Sequence, residues 1–187
     1  MLQMEAWRPT VTSAPLGAIN HRVPDPFERL FLQEYPKVVA IAYRVLADRP
    51  AAEDVAQEVF LKFHRSHSPD SERASGWLHS VAVHSALNLI RGERRRVQRE
   101  TAHALDPARV PVANPERLVE DAEQRREVRR ALSRLPQRTA ALLMLRHSGL
   151  SYAEVSTALG IKVGNVGTLL RRAEEALRKE VNRATPE

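Results

Sequence analysis

From Phe27 onward, apolar residues return at three- and four-residue steps: Phe27, Leu30 and Phe31, then Val38, Ile41, Ala42 and Val45. That period predicts a helix with one buried face. Asp48 followed by Pro50 predicts a new helix start, since proline gives up no hydrogen bond in a first turn. The stretch "AAEDVAQEVFLKFHR" then places Val55, Val59 and Phe63 near one face. "SPDSER" breaks the chain, and "ASGWLHSVAVHSALNLIRGERRR" resumes the helical pattern with Trp77, Leu78, Val81, Leu87 and Ile90. Pro107, Pro111 and Pro115 rule out a helix across them. Helicity returns near Glu116, and "LPQRTAALLMLRHSGL" is an apolar helix closed by Gly149. No two-residue alternation persists, so the predicted fold class is all-α. Two small helical domains are joined by a flexible linker. The divisions are a mobile arm over 1–24 (with Pro9, Pro15 and Pro24), a helical domain over 25–99, an acidic Pro-containing linker over 100–126 and a second domain over 127–183.

The second domain ends in "SYAEVSTALGIKVGNVGTLLRR". Ser151 and Glu154 fit a capping box. Val155 and Leu159 are spaced four apart on the first helix, Gly160 stands at a sharp turn that Ile161 plugs, and Val166, Leu169 and Leu170 face back from the second helix. Ser156 is small where the two helices cross. These separations predict a helix-turn-helix. The outward face of its second helix is then Lys162, Asn165, Thr168, Arg171 and Arg172, with the N-terminal end toward base edges and the arginines toward phosphates. Gly167 costs helix stability of roughly 1 kcal/mol relative to alanine.

Charge adds a division of labour. Net charge is +6, unevenly spread. Residues 25–70 carry eight acids against six bases, 71–99 two against six, 100–124 six against two, and 125–187 six against thirteen. Two basic blocks on either side of an acidic spacer suit two anion-facing modules. The chain has no cysteine, which excludes disulfides and thiolate metal sites and fits a reducing cytoplasm. No apolar run is long enough to span a bilayer, and the N-terminus lacks the order of a signal peptide.

Taken in order, "AAEDVAQEVFLKFHR", "GWLHSVAVHSALNLIRGERRR" and "LPQRTAALLMLRHSGLSYAEVSTALGIKVGNVGTLLRRA" resemble the bacterial RNA polymerase sigma factors of the extracytoplasmic-function (ECF) group, sigma-70 family, over roughly residues 25–99 and 127–181. The resemblance implies a transcription initiation factor that binds core RNA polymerase and directs promoter recognition and melting. Its first block looks like region 2, whose acidic-apolar helix docks on the polymerase; here that maps to Glu53, Asp54, Gln57, Glu58, Phe60 and Leu61. Region 2 also captures the non-template strand of the minus-ten element, which maps to His84, Ser85, Asn88, Arg91, Arg94, Arg95 and Arg96. His84 stands where asparagine is usual and Asn88 where aspartate is frequent. The last block looks like region 4, which reads the upstream element; Lys162, Asn165, Thr168, Arg171 and Arg172 carry that role. The common lysine-serine-arginine appears there as Gly167, Thr168 and Leu169, which shifts weight to Lys162, Arg171, Arg172 and Arg178. The resemblance further implies promoter DNA and an anti-sigma factor as partners, with no cofactor. The linker would thread toward polymerase channels, although a plain tether fits its residues equally well.

Rival readings are few. His64, His67 and Asp70 form a short string, but "SPD" breaks the helix before a third ligand, so no metal site is expected. There is no Walker-type loop, no G-x-S-x-G and no cysteine nucleophile, so no catalytic residue is assigned. Trp77 at helical spacing reads as core rather than as a stacking platform. The serious alternative is a stand-alone helix-turn-helix DNA-binding regulator, which would have no need of the acidic shoulder around Glu53 to Leu61.

Overall fold

The computed structural model describes residues 25–103 and 116–183, in which seven helices and no strand occur. The arm over 1–24 lies outside the described residues. Helix α1 (Pro26–Leu46) starts where Asp25 accepts hydrogen bonds from the amides of Phe27 and Glu28 at 2.6 and 3.0 Å. Helix α2 (Arg49–Ser66) starts at Asp48, whose carboxylate accepts from the Ala51 amide, with proline in the first turn as the sequence predicts. Both carboxylates satisfy amides that an unflanked helix would leave bare. Helix α3 (Ala74–His103) runs unbroken for 30 residues.

Helix α4 (Glu116–Arg134) begins ten residues before the end of the predicted linker span, so part of that acidic segment is helical; residues 104–115 lie outside the described residues. Helices α5 (Gln137–His147), α6 (Tyr152–Leu159) and α7 (Val163–Asn182) complete the second module. The capping box forms: the Ser151 amide donates to Glu154 Oε2 at 2.7 Å, and the Glu154 amide to Ser151 Oγ at 3.3 Å. Gly160 closes α6 at φ +60°, a left-handed conformation that suits glycine. Ser156 does more than stay small, because its hydroxyl donates to the Ile161 carbonyl at 2.6 Å and ties the turn. The helix-turn-helix is therefore present as read.

Inside the first module, α1, α2 and α3 pack on one another around Val38, Ile41, Val59, Phe63, Leu78 and Leu87, all fully buried. The second module is built on Leu143, Leu145, Val155 and Val166. The two modules also lie against each other: α3 packs on α4, α5 and α6, and α1 meets α5. Their buried apolar residues form one connected cluster. This contact sets where the two basic faces sit.

Candidate nucleic-acid and polymerase interface

Three surfaces carry the residues that the sequence singles out. On α2, Asp54, Gln57 and Glu58 are exposed, Glu53 is partly so, and Leu61 is 56% exposed. Phe60 departs from expectation: it is 3% exposed and cannot present itself to a partner. Three aromatic rings from α1 enclose it, with centroids at 6.3 Å (Phe27), 4.8 Å (Phe31) and 6.0 Å (Tyr35). Phe60 is thus the wall behind the shoulder rather than part of its face. The shoulder is also less acidic than a count of carboxylates suggests. Arg49 Nε pairs with Glu53 Oε1 at 2.9 Å and Lys62 Nζ with Glu58 Oε2 at 3.3 Å, each one helical turn away. Such exposed pairs contribute only about 0.3–0.5 kcal/mol and are readily exchanged for others. Asp54 has no ion pair among the described residues and lies near the exposed Leu61.

Helix α3 brings His84, Ser85, Asn88, Arg91, Arg94, Arg95 and Arg96 onto a single element. His84 and Ser85 are half-buried, Asn88, Arg95 and Arg96 exposed. The His84 ring lies 3.4 Å from Ser80 Oγ, and burial lowers its pKa below the usual imidazole value, so near neutral pH it is uncharged. It can then exchange hydrogen bonds with a base but adds no cation. Arg91 and Arg94 are half-buried, and both are engaged by backbone carbonyls of the second module. Trp77 packs against Phe63 at 5.6 Å and His67 at 4.2 Å, in keeping with the core reading. His64 turns instead to Phe27, at 4.7 Å between rings. The two imidazoles of the short histidine string therefore serve different aromatic neighbours.

On α7, Lys162, Asn165, Thr168, Arg171 and Arg172 are all exposed, while Leu169 is half-buried against the core. Gly167 lies under the Tyr152 ring of α6. A Cβ added there would stand 3.6 Å from Tyr152 Cε2, an ordinary contact. Packing does not require glycine at this position. The Arg146 guanidinium lies over the Tyr152 ring, 5.7 Å from its centroid. Arg138 Nη2 donates to the Leu159 carbonyl at 3.0 Å and helps close α6.

Sequence reasoning missed two features. Glu34 and His79, both 1% exposed, face each other across α1 and α3, with His79 Nε2 2.7 Å from Glu34 Oε2. Lys37 Nζ reaches the other carboxylate oxygen at 3.1 Å. A glutamate four residues before Val38, on the buried stripe, was the readable half of this pair. The second is the bonding between α3 and the α4–α5 corner, where Gln137 Nε2 donates to Asn88 Oδ1 at 3.3 Å. No sequence signal marks it. Among the described residues, no helix is long and apolar enough to cross a membrane, and no three potential ligands are grouped for a metal ion.

Residues 30–96 match the family Sigma-70 region 2, and residues 125–177 match Sigma-70, region 4. The ECF RNA polymerase sigma factor SigE of Mycolicibacterium smegmatis is 33% identical over 158 residues, which are 81% of this chain and 60% of that protein. The RNA polymerase sigma-H factor of Pseudomonas aeruginosa is 31% identical over 163 residues, 82% of this chain and 84% of that protein. Among solved structures, the sigma factor RpoE from Bartonella quintana, in complex with the anti-sigma factor NepR, is 20% identical. That likeness covers 83% of this chain and 96% of that one, with a TM-score of 0.48.

Proposed function

The chain belongs to the ECF group of the sigma-70 family of RNA polymerase sigma factors, and from that premise we propose how its surfaces divide the work of starting transcription. It is a transcription initiation factor whose partners are core RNA polymerase and promoter DNA. The α2 shoulder of Asp54, Glu58 and Leu61, with Glu53 and Gln57 at its edge, docks on a basic and partly apolar helical surface of the polymerase. A few anchors carry most of such an affinity, and charge complementarity sets the rate and register.

Along α3, His84, Ser85 and Asn88 meet unstacked bases of the minus-ten element, and Arg91, Arg94, Arg95 and Arg96 meet the strand's phosphates. Holding a base out of the stack makes the melted promoter the lower state without ATP. The α7 face reads the upstream element: Lys162, Asn165 and Thr168 stand at the end that enters the groove, and Arg171 and Arg172 lie further along, toward the backbone. With neither lysine nor arginine at Gly167 and Leu169, base readout there is sparse and phosphate contacts dominate. The role is binding throughout, with no catalytic residue, and it places the protein in the cytoplasm with the polymerase. An anti-sigma factor is the expected negative regulator.

The observation that supports this reading best is the order of the two family matches on one chain, with the α2 shoulder exposed inside the first and the α7 face exposed inside the second. Gel filtration with purified core polymerase tests it. Co-elution at equal stoichiometry is expected; a protein that elutes alone yet shifts duplex DNA would favour the stand-alone regulator.

A further inference from the structure

A cleft of about 720 Å³ lies between α1 and α4, and none of the residues assigned above to polymerase or DNA lines it. Small-molecule sites run from about 300 to 1,000 Å³. Arg44, Arg125 and Arg129 stand around the cleft, and no acidic residue lines it. Ala40, Val128 and the buried Leu132 make its apolar part. Tyr43, 46% exposed, adds a single aromatic ring, and Gln124 adds an amide.

The positive charge here is open to a ligand. Among the described residues Arg44 takes part in no ion pair. Arg129 is held in place, because its Nη1 donates to the Leu46 carbonyl at 2.6 Å. That bond covers the negative end of α1, which would otherwise repel an anion, and leaves the other guanidinium N–H groups for one. A second arginine-rich cleft, between α3 and α4, is different. There Arg126 and Arg130 pair with Glu123 at 3.3 and 3.6 Å, Arg134 pairs with Glu180 at 3.9 Å, and Glu93 stands among them. That cleft is neutralised from within the chain.

We infer that the cleft between α1 and α4 binds a nucleoside di- or triphosphate. Guanidiniums take phosphate oxygens in pairs of parallel hydrogen bonds, and a base stacks on an exposed tyrosine. Gln124 can both donate to and accept from the polar edge of the base. A bare phosphate would leave the Tyr43 ring and the apolar wall without a partner. An uncharged ring would leave the arginines without one. A ligand that joins the two uses the whole cleft. Since α1 and α4 belong to different modules, an occupant ties the modules together and adds its binding free energy to the stability of that arrangement. The inference stands apart from the sigma reading, because it concerns the chain alone.

The test titrates the full chain, without polymerase or DNA, with ATP by isothermal calorimetry. Adenosine and inorganic pyrophosphate form separate arms. ATP should bind saturably at one equivalent, and each fragment at least about tenfold more weakly, since each keeps only part of the contacts. Arg44→Glu should weaken ATP binding about tenfold or more, and Tyr43→Ala about tenfold. Both residues are exposed, so both variants should melt as the parent does in the absence of ligand. Arg73→Glu, at an exposed arginine outside the cleft, makes the same charge change and should bind ATP like the parent. ATP at about a hundredfold excess over the parent's Kd should raise the parent's melting temperature by about 5–10 °C, and that of Arg44→Glu by about half as much. No heat of binding with ATP would overturn the inference. So would pyrophosphate that binds as tightly as ATP, or equal losses in Arg73→Glu and Arg44→Glu.

Discussion

His79 Nε2 lies 2.7 Å from Glu34 Oε2 in the interior of the first module, and the other ring nitrogen, Nδ1, has no partner. The neutral tautomer with a proton on Nε2 fits this site, because it donates to the carboxylate and leaves Nδ1 as a bare acceptor. A second proton on Nδ1 would find nothing to accept it. Burial accordingly lowers the His79 pKa below 6.5, against the opposing pull of Glu34. His84 is lowered as well, again chiefly by burial.

Stability therefore depends on pH in a stated direction. Below about pH 6.5 the unfolded chain takes up protons at these histidines that the folded chain refuses. Their contribution is complete above that value and is lost as pH falls through the lower folded-state pKa. Urea unfolding at pH 8, 7, 6 and 5 should show a plateau followed by a decline, with His79 shown by NMR to titrate below 6.5. A flat profile from pH 8 to 5 would contradict the burial of a neutral imidazole.

Phe60 and Leu61 are neighbours in sequence with opposite roles. Phe60→Ala should cost about 3–5 kcal/mol of stability, as removal of a core aromatic does. Leu61→Ala should leave the thermal melt nearly unchanged and weaken binding to core polymerase. Combined charge reversal at Asp54 and Glu58 should abolish co-elution with core, again with little change in the melt. Loss of fold in the Leu61 or charge-reversed proteins would mean that the shoulder is structural.

Gly167 is tolerated rather than needed. Its position beneath Tyr152 leaves ordinary room for a methyl group. Gly167→Ala should stabilise the protein by about 0.5–1 kcal/mol, because α7 gains a better helix former. Calorimetry checks it; a lower melting temperature would show that Tyr152 cannot accommodate the added carbon.

Arg171 is exposed on the face of α7 assigned to DNA. In the assembled holoenzyme, Arg171→Ala should weaken promoter binding across sequences and reduce the slope of log affinity against log salt by about 1, the signature of one lost phosphate contact. An unchanged slope would remove Arg171 from the interface.

What the sequence revealed and what it hid follow from the range of the interactions. Helix starts at Asp48 and Ser151 and the turn at Gly160 involve partners within a few residues, so spacing alone exposes them. Phe60 was misread because the resemblance carries it over by position alone, while the rings that enclose it come from α1, some thirty residues earlier. Glu34 could be noticed on a buried stripe, but its partner His79 stands 45 residues away. The bonds from Arg91 and Arg94 end on backbone carbonyls, which leave no mark in a sequence. An arginine-rich helix looks the same whether its donors face phosphate or a helix end.

The central claim is that this chain starts transcription only through core RNA polymerase, and single-round run-off transcription on a library of genomic fragments tests it most directly. Core enzyme supplied with the protein should produce discrete transcripts from a small set of fragments, absent with either component alone. If no template yields a start above the core background, the account is contradicted.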